Sequence, residues 1–322
     1  MLAKSERGLW AVNDAAIVAL GGGSGLPVLL RGLKGYTSRI TAVVTVCDDG
    51  GSSGRLRRDM GIVAPGDVRN CIIALADTEP LMEELFAYRF DRGELKGHSL
   101  GNLILAALTQ IRGDFREAVA ELSQVLKVRG KVLPSTLKST TLCARLKDGT
   151  VVRGETAVGA SSAIDQVFLD PPAEGLPEVT EAILGADLVV LGPGSLYTSV
   201  IPNLVVKDVA EAIRESKAVK VFVCNIMTEP GETLGYTALD HVKAILKHCG
   251  DVLDCVVVNS EQLPEEVRTK YAAEGAVPVE VEVRALEEVG MKVWAGPLLD
   301  VSGGVARHQA DALARAILEL LG

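Results

Sequence analysis

The sequence predicts an α/β fold: a Rossmann-like, doubly wound and mostly parallel sheet in three layers. Three observations predict it. Short β-rich runs at 17–20, 42–46, 188–191, 221–226 and 252–258 are apolar throughout rather than alternating, as strands buried on both faces are. Helix-period segments lie between them. Each run ends in a glycine-rich or polar loop, and in an open parallel sheet such loops share the edge where ligands bind.

Taken in order, residues 1–14 are expected to be a flexible lead. Glu6 and Asp14 interrupt them, and they lack a signal-peptide layout. Residues 15–322 are expected to form a single nucleotide-binding domain. The first run opens into Gly21-Gly22-Gly23-Ser24-Gly25 and a leucine-rich helical stretch, the second into Cys47-Asp48-Asp49. Residues 66–127 look helical, with no strand between. Residues 131–170 break the alternation. A Lys147-Asp148-Gly149-Thr150 turn between β-prone stretches spells a hairpin, 164–169 adds a strand, and Pro171-Pro172 closes the segment. We expect a small β insertion beside the sheet, whose apolar hairpin would be the contact of a homodimer. The third run leads into Gly192-Pro193-Gly194-Ser195, the fourth into Asn225-Ile226-Met227-Thr228-Glu229-Pro230-Gly231-Glu232-Thr233, the fifth into Asn259-Ser260-Glu261. In the last helix Ala310, Leu313, Ala314, Ile317, Leu318 and Leu321 share one face.

Composition narrows the function. The 322 residues are 48% hydrophobic and 23% charged, ordinary for a soluble globular chain, and the net charge of −9 with no basic run argues against nucleic acid as a partner. The six scattered cysteines include no C-x-x-C pair and are expected as buried thiols in a reducing compartment. No apolar run is long enough to span a bilayer. The expected location is cytoplasmic.

The strand-end loops carry the chemistry. Gly22, Gly23, Ser24 and Gly25 before a helix suit phosphate oxygens, and Gly192, Gly194, Ser195 and Thr198 form a second such loop. The first lacks the lysine of a P-loop. It also lacks the third glycine of a dinucleotide fingerprint, where Leu26 stands, which counts against a nicotinamide oxidoreductase. Asp48 follows the first loop by about twenty residues, the spacing of a ribose-binding acid. Asp48 and Asp49 together would also suit Mg²⁺, the one metal expected, with no cofactor required. Gly50 to Gly54, with Ser52 and Ser53, suggests a flap that a ligand orders, bringing Arg55, Arg57 or Arg58 to phosphate. Asp67, Arg69 and Asn70 open one helix; His98 and Asn102 open another. Asp67 and His98 are the candidate general bases, and a plain helix cap or core histidine is the competing reading of each.

GGGSGLPVLLRGL, TVCDDGGSSGRLR, PGDVRNCIIALAD, GHSLGNLIL, LGPGSLYTSVIPNL and NIMTEPGET, in this order over nearly the whole chain, resemble the gluconeogenesis factor family (YvcK type). That family shares a superfamily with 2-phospho-L-lactate transferase (CofD), which this chain resembles mainly in the first glycine loop and the double aspartate. The resemblance implies a cytoplasmic protein that binds UDP-sugars, notably UDP-N-acetylglucosamine, and is required for cell shape and envelope synthesis on gluconeogenic carbon sources. It implies no settled catalytic activity, and an unidentified regulatory protein as partner. By motif it places nucleotide contacts at Gly23, Ser24, Asp48, Asp49, Asn102, Gly194, Ser195, Asn225 and Thr228. Ser24 stands where threonine is usual, Glu229 where glutamine is usual, and Leu234 at a commonly polar position. The added carboxylate of Glu229 would repel a pyrophosphate, so its loop is expected to face sugar or base. The alternative function is a Mg²⁺-dependent transferase acting on a nucleotide diphosphate-linked substrate.

Overall fold

The computed structural model describes residues 14–321. The expected N-terminal lead, Asp14 apart, lies outside the described residues. The strands, in chain order, are β1 (Ile17–Gly21), β2 (Ile40–Val44), β3 (Lys131–Pro134), β4 (Thr141–Leu146), β5 (Val151–Arg153), β6 (Ile164–Asp170), β7 (Leu188–Leu191), β8 (Val219–Val223), β9 (Cys255–Asn259), β10 (Lys292–Gly296), β11 (Leu299–Asp300) and β12 (Arg307–His308). Seven of them form one sheet in the order β10-β9-β8-β7-β1-β2-β3, every pair parallel. Chain order reverses between β1 and β7, so the loops after these two strands face each other across the switch point, where open α/β sheets leave a crevice.

The fold class is thus a mostly parallel sheet flanked by helices. On one face pack the helices Gly25–Leu33, Gly66–Leu75, Phe115–Val125 and Ala310–Leu318; on the other pack Pro177–Leu184, Val209–Glu215 and Ala238–Cys249. Leu26, Leu29, Leu30 and Leu33 recur at helical spacing and are fully buried, which is why this stretch is helical. Each such leucine contributes about 1.5–3 kcal/mol by leaving water. A side chain at Gly32 would meet the Ala310 carbonyl at 2.1 Å, so glycine there lets two helices touch backbone to backbone. In the helix Ala310–Leu318 the expected stripe is buried at Leu313, Ala314, Ile317 and Leu318.

Three details differ from expectation. Residues 131–134 belong to the main sheet: β3 pairs with β2 at its edge, where Pro134 costs no ladder bond on the open side. The insertion is therefore the separate antiparallel sheet β5-β4-β6. At the opposite edge, β10 joins the sheet from a short segment that the apolar runs did not mark. The supposed flap is the first turn of the helix Gly51–Met60, with Ser52 and Ser53 buried. Gly54 makes this possible, since a Cβ there would lie 1.8 Å from the Asp49 carbonyl oxygen. No helix among the described residues is long and apolar enough to cross a membrane.

Candidate functional site

The two glycine loops meet at the switch point. A Cβ on Gly25 would sit 2.5 Å from the Pro193 carbonyl oxygen and 2.9 Å from the Gly194 nitrogen. A Cβ on Gly194 would lie 3.3 Å from the Gly22 carbonyl oxygen, and the φ of +153° there is one that favours glycine. Asn203 ties the pair together, its side-chain amide donating to the Gly21 and Ser199 carbonyls at 3.1 and 2.8 Å. Gly192 is buried behind them. Ser24 caps the helix Gly25–Leu33 without a side-chain bond to it and stays exposed.

These loops border a cleft of about 290 Å³. Of the residues expected at the site it gathers Ser24, Gly25, Gly194, Ser195, Asn225 and Thr228. Tyr271, Glu274, Arg307 and His308 close its far wall. No strand-end motif marks these four. Tyr271 and Glu274 come from the helix Glu265–Ala273 and the residue that ends it, Arg307 and His308 from the ribbon β11–β12. His308 is buried, bonded to the Cys224 backbone, with Nε2 unpartnered; burial pulls it down to about 4, so it stays neutral. Thr228 is pinned by reciprocal bonds with Val277, and the Thr198 hydroxyl is held by Glu232 at 2.9 Å.

The remaining expected residues form a second group under β2. Asp67 joins the two, because its Oδ2 accepts the Gly23 N–H at 2.7 Å. Burial pushes the Asp67 carboxyl up to about 6, the Gly23 amide opposing and the Asp48 charge adding to the rise. Asp48, Ser53 and Asn102 all converge on Gly66, where a Cβ would lie 3.4, 2.5 and 3.9 Å from their polar atoms. Ser52 Oγ lies 3.0 Å from His98 Nδ1 and accepts from the Asn102 amide at 3.2 Å. Burial lowers the His98 pKa, and Arg55 reinforces the shift. Arg69 is buried, with its guanidinium on the Ser99 hydroxyl and on the Asn70 side-chain oxygen at 2.5 Å.

Two of the three arginines expected at phosphate donate to backbone carbonyls. Arg55 donates to the Lys96 carbonyl, and Arg57 to the carbonyls of Cys47, Asp48 and Thr140. Asp48 Oδ1 accepts the Gly50 N–H at 2.8 Å. Asp49 Oδ1 accepts from both the N–H and the hydroxyl of Thr156, which fastens the insertion to the aspartate loop. Among the described residues no three His, Cys, Asp or Glu side chains are placed to hold a metal.

Two acids beside this group escaped notice in the sequence. Glu155 starts the short helix after β5, and burial together with Asp48 and Asp67 raises its pKa well above the carboxylate range. Glu232 is buried under the second glycine loop, accepting from the Tyr197 N–H at 2.5 Å and the Thr198 hydroxyl. Its loop was legible, but nothing in the sequence tells which of its two glutamates turns inward.

The 2-phospho-L-lactate transferase CofD family model matches residues 17–299. The gluconeogenesis factor of Bacillus subtilis is 50% identical over 309 residues, covering 95% of this chain and 98% of its own. That of Listeria innocua is 42% identical over 309 residues, covering 95% of each. A crystal structure of a Bacillus halodurans protein superposes with a TM-score of 0.92 at 50% identity, covering 94% of this chain and 99% of that one. The motif resemblance and the fold are thereby matched along almost the whole length, and the chain belongs to the gluconeogenesis factor family, within the wider CofD family.

Proposed function

We propose that the switch-point cleft binds a nucleotide diphosphate sugar, UDP-N-acetylglucosamine or UDP-glucose, and that the protein is a cytoplasmic regulator of cell morphogenesis and envelope synthesis during gluconeogenic growth. The observation that carries the binding reading is the contact of the two glycine loops. It leaves Ser24, Gly194 and Ser195 together at the mouth of one cleft. Backbone amides at a helix start and small hydroxyls suit a diphosphate without demanding a cation. Tyr271, Arg307 and His308 then offer an aromatic ring and hydrogen-bonding groups to the rest of the ligand. The gluconeogenic setting is suggested by the relatives' name, and the regulatory role and the location rest on the family resemblance. Mg²⁺ would enter with the ligand's phosphates, Asp48 supplying a carboxylate oxygen.

A transferase is the second reading, favoured by Asp67. Its carboxyl, titrating near 6 against the first glycine loop, is tuned for general base work. Calorimetric titration with UDP-N-acetylglucosamine, UDP-glucose and NADP, with and without Mg²⁺, followed by chromatography, separates the readings. Binding of a UDP-sugar recovered intact is the expected result. Cleavage of the sugar nucleotide would move the case to the transferase, and heat from NADP alone would overturn both.

A further inference from the structure

Residues 80–98 form an arm that is exposed over most of its length. The helix Pro80–Ala87 leads into a hairpin turn, in which the Phe90 N–H donates to the His98 carbonyl and the Gly97 N–H to the Phe90 carbonyl. The arm is firmly rooted. Phe86, the one buried residue of its helix, packs at Gly101, where a Cβ would lie 2.8 Å from the Phe86 carbonyl oxygen. At the other end Arg55 donates to the Lys96 carbonyl at 2.8 Å, and His98 is tied to Ser52.

The outer face of this rigid element is apolar and uncovered. Leu81, Leu85 and Tyr88 recur at i, i+4 and i+7 and make one stripe, 65%, 40% and 50% exposed, and Leu95 on the turn is 44% exposed. A lone exposed leucine is ordinary, whereas an ordered stripe rimmed by charges is the mark of a protein interface. The charges are ordered too. Glu79, Glu83 and Glu84 stand on the helix, and on the turn Arg89, Arg92 and Lys96 outnumber Asp91 and Glu94. Among the described residues the arm's one ion pair is Arg92 with Asp91, at 3.9 Å and almost fully exposed. The arm is thus acidic along its helix and basic at its turn, with most of these charges unmatched.

We propose that the arm is a dimerisation surface, and that its occupant is the same arm of a second copy laid antiparallel across a two-fold axis. Such an axis brings each acidic helix onto the partner's basic turn while the two leucine stripes meet between them, so one surface satisfies both requirements. A parallel neighbour would set like charges together. A purely basic foreign segment would match the helix and oppose the turn. The size agrees: a stable interface takes about 800 Å² and about 20–30 residues from each partner, and the arm lies near the lower limit, as suits a dimer that forms with rising concentration. The β insertion, from which the sequence led us to expect this contact, exposes Val151 alone of its large apolar side chains among the described residues.

Sedimentation equilibrium of the full chain between about 1 and 100 µM reads the association directly. A monomer–dimer equilibrium is expected. Leu81→Asp/Leu85→Asp should weaken it about 100-fold or more and leave the thermal unfolding midpoint in place, since both side chains are exposed. Glu83→Lys/Glu84→Lys and Arg92→Glu/Lys96→Glu should each weaken it about tenfold, every altered contact counting twice across the axis. An equimolar mixture of those two charge variants should associate as the native chain does, because the reversed helix of one meets the reversed turn of the other. A monomer at every concentration would overturn the proposal. A dimer indifferent to Leu81→Asp/Leu85→Asp would overturn it by placing the interface elsewhere, and Val151→Asp would then show whether the insertion makes it. A mixture that associates no better than either charge variant alone would overturn the antiparallel pairing.

Discussion

The glycine loops after β1 and β7 and the polar group under β2 are built in opposite ways. The first is made of backbone packed on backbone, with Ser24 left exposed. The second is made of side chains already bonded to one another: Ser52 to His98 and Asn102, Arg69 to Ser99 and Asn70, Asp49 to Thr156. A surface that keeps its donors open can take a ligand at little cost in lost protein bonds. A surface whose polar groups are mutually satisfied mainly fixes shape. The difference predicts that substitutions in the first region act on affinity and those in the second on stability.

The sharpest way to break this contrast is Gly25→Ala. The added methyl must push Pro193 and Gly194 away, so UDP-sugar affinity should fall about 100-fold, the equivalent of ~2.7 kcal/mol, in a calorimetric titration. Urea unfolding should show a smaller loss of about 1–2 kcal/mol. Affinity preserved in that variant would mean that the glycine contact does not shape the binding cleft.

Arg69→Ala should do the reverse. It removes a partner from the buried Ser99 and the half-buried Asn70 and should cost about 2–3 kcal/mol in urea unfolding, with affinity changed less than stability. A large affinity loss with unchanged stability would make Arg69 a ligand contact and erase the distinction.

Asp67 sits on the border and reports on it through pH. Its folded pKa, about 6, lies above the ordinary carboxylate value, so the fold favours the neutral form. Its contribution to stability is full below the unfolded carboxylate range and declines as pH rises through 6. Asp67→Asn should therefore flatten the stability profile between pH 4 and 7, measured by thermal unfolding across that window. An unchanged profile would assign the titration to other acids. The mildest change is Ser24→Ala. It should leave stability within about 0.5 kcal/mol and weaken UDP-sugar binding several-fold, about 1 kcal/mol by titration.

The contrast also explains what was legible in the sequence. The inner strands were readable because burial on both faces leaves unbroken apolar runs, and the strand-end loops followed from the parallel topology. β3 and β10 were not, since edge strands are only half-covered and exposed positions break their apolar runs. The glycine loops announced themselves because only glycine tolerates their backbone approach. The flap was misjudged because Gly51, Ser52, Ser53 and Gly54 look poor for a helix, yet Gly54 is required by the Asp49 carbonyl and the serines are buried at the helix start. Arg57 and Arg69 could not be placed from sequence, for a cation opening toward phosphate and one turned to the protein's own oxygens are written with the same letter. Tyr271, Arg307 and His308 were invisible, because a helix with no buried residue and a ribbon of two-residue strands carry no periodic signal.

The touch between Gly32 and Ala310 has a consequence for biosynthesis. The helix that starts beside the first glycine loop packs on the helix Gly66–Leu75 but most extensively on the helix Ala310–Leu318, and β1 itself needs β7 on one side. A nascent chain can thread the loop early, but it cannot seat it until almost all the residues described here have left the ribosome. Contacts so distant in sequence make folding slow and leave the apolar strands uncovered meanwhile. Ligand competence in this protein should thus switch on late and all at once, making UDP-sugar capture by stalled chains of increasing length a clock for its folding.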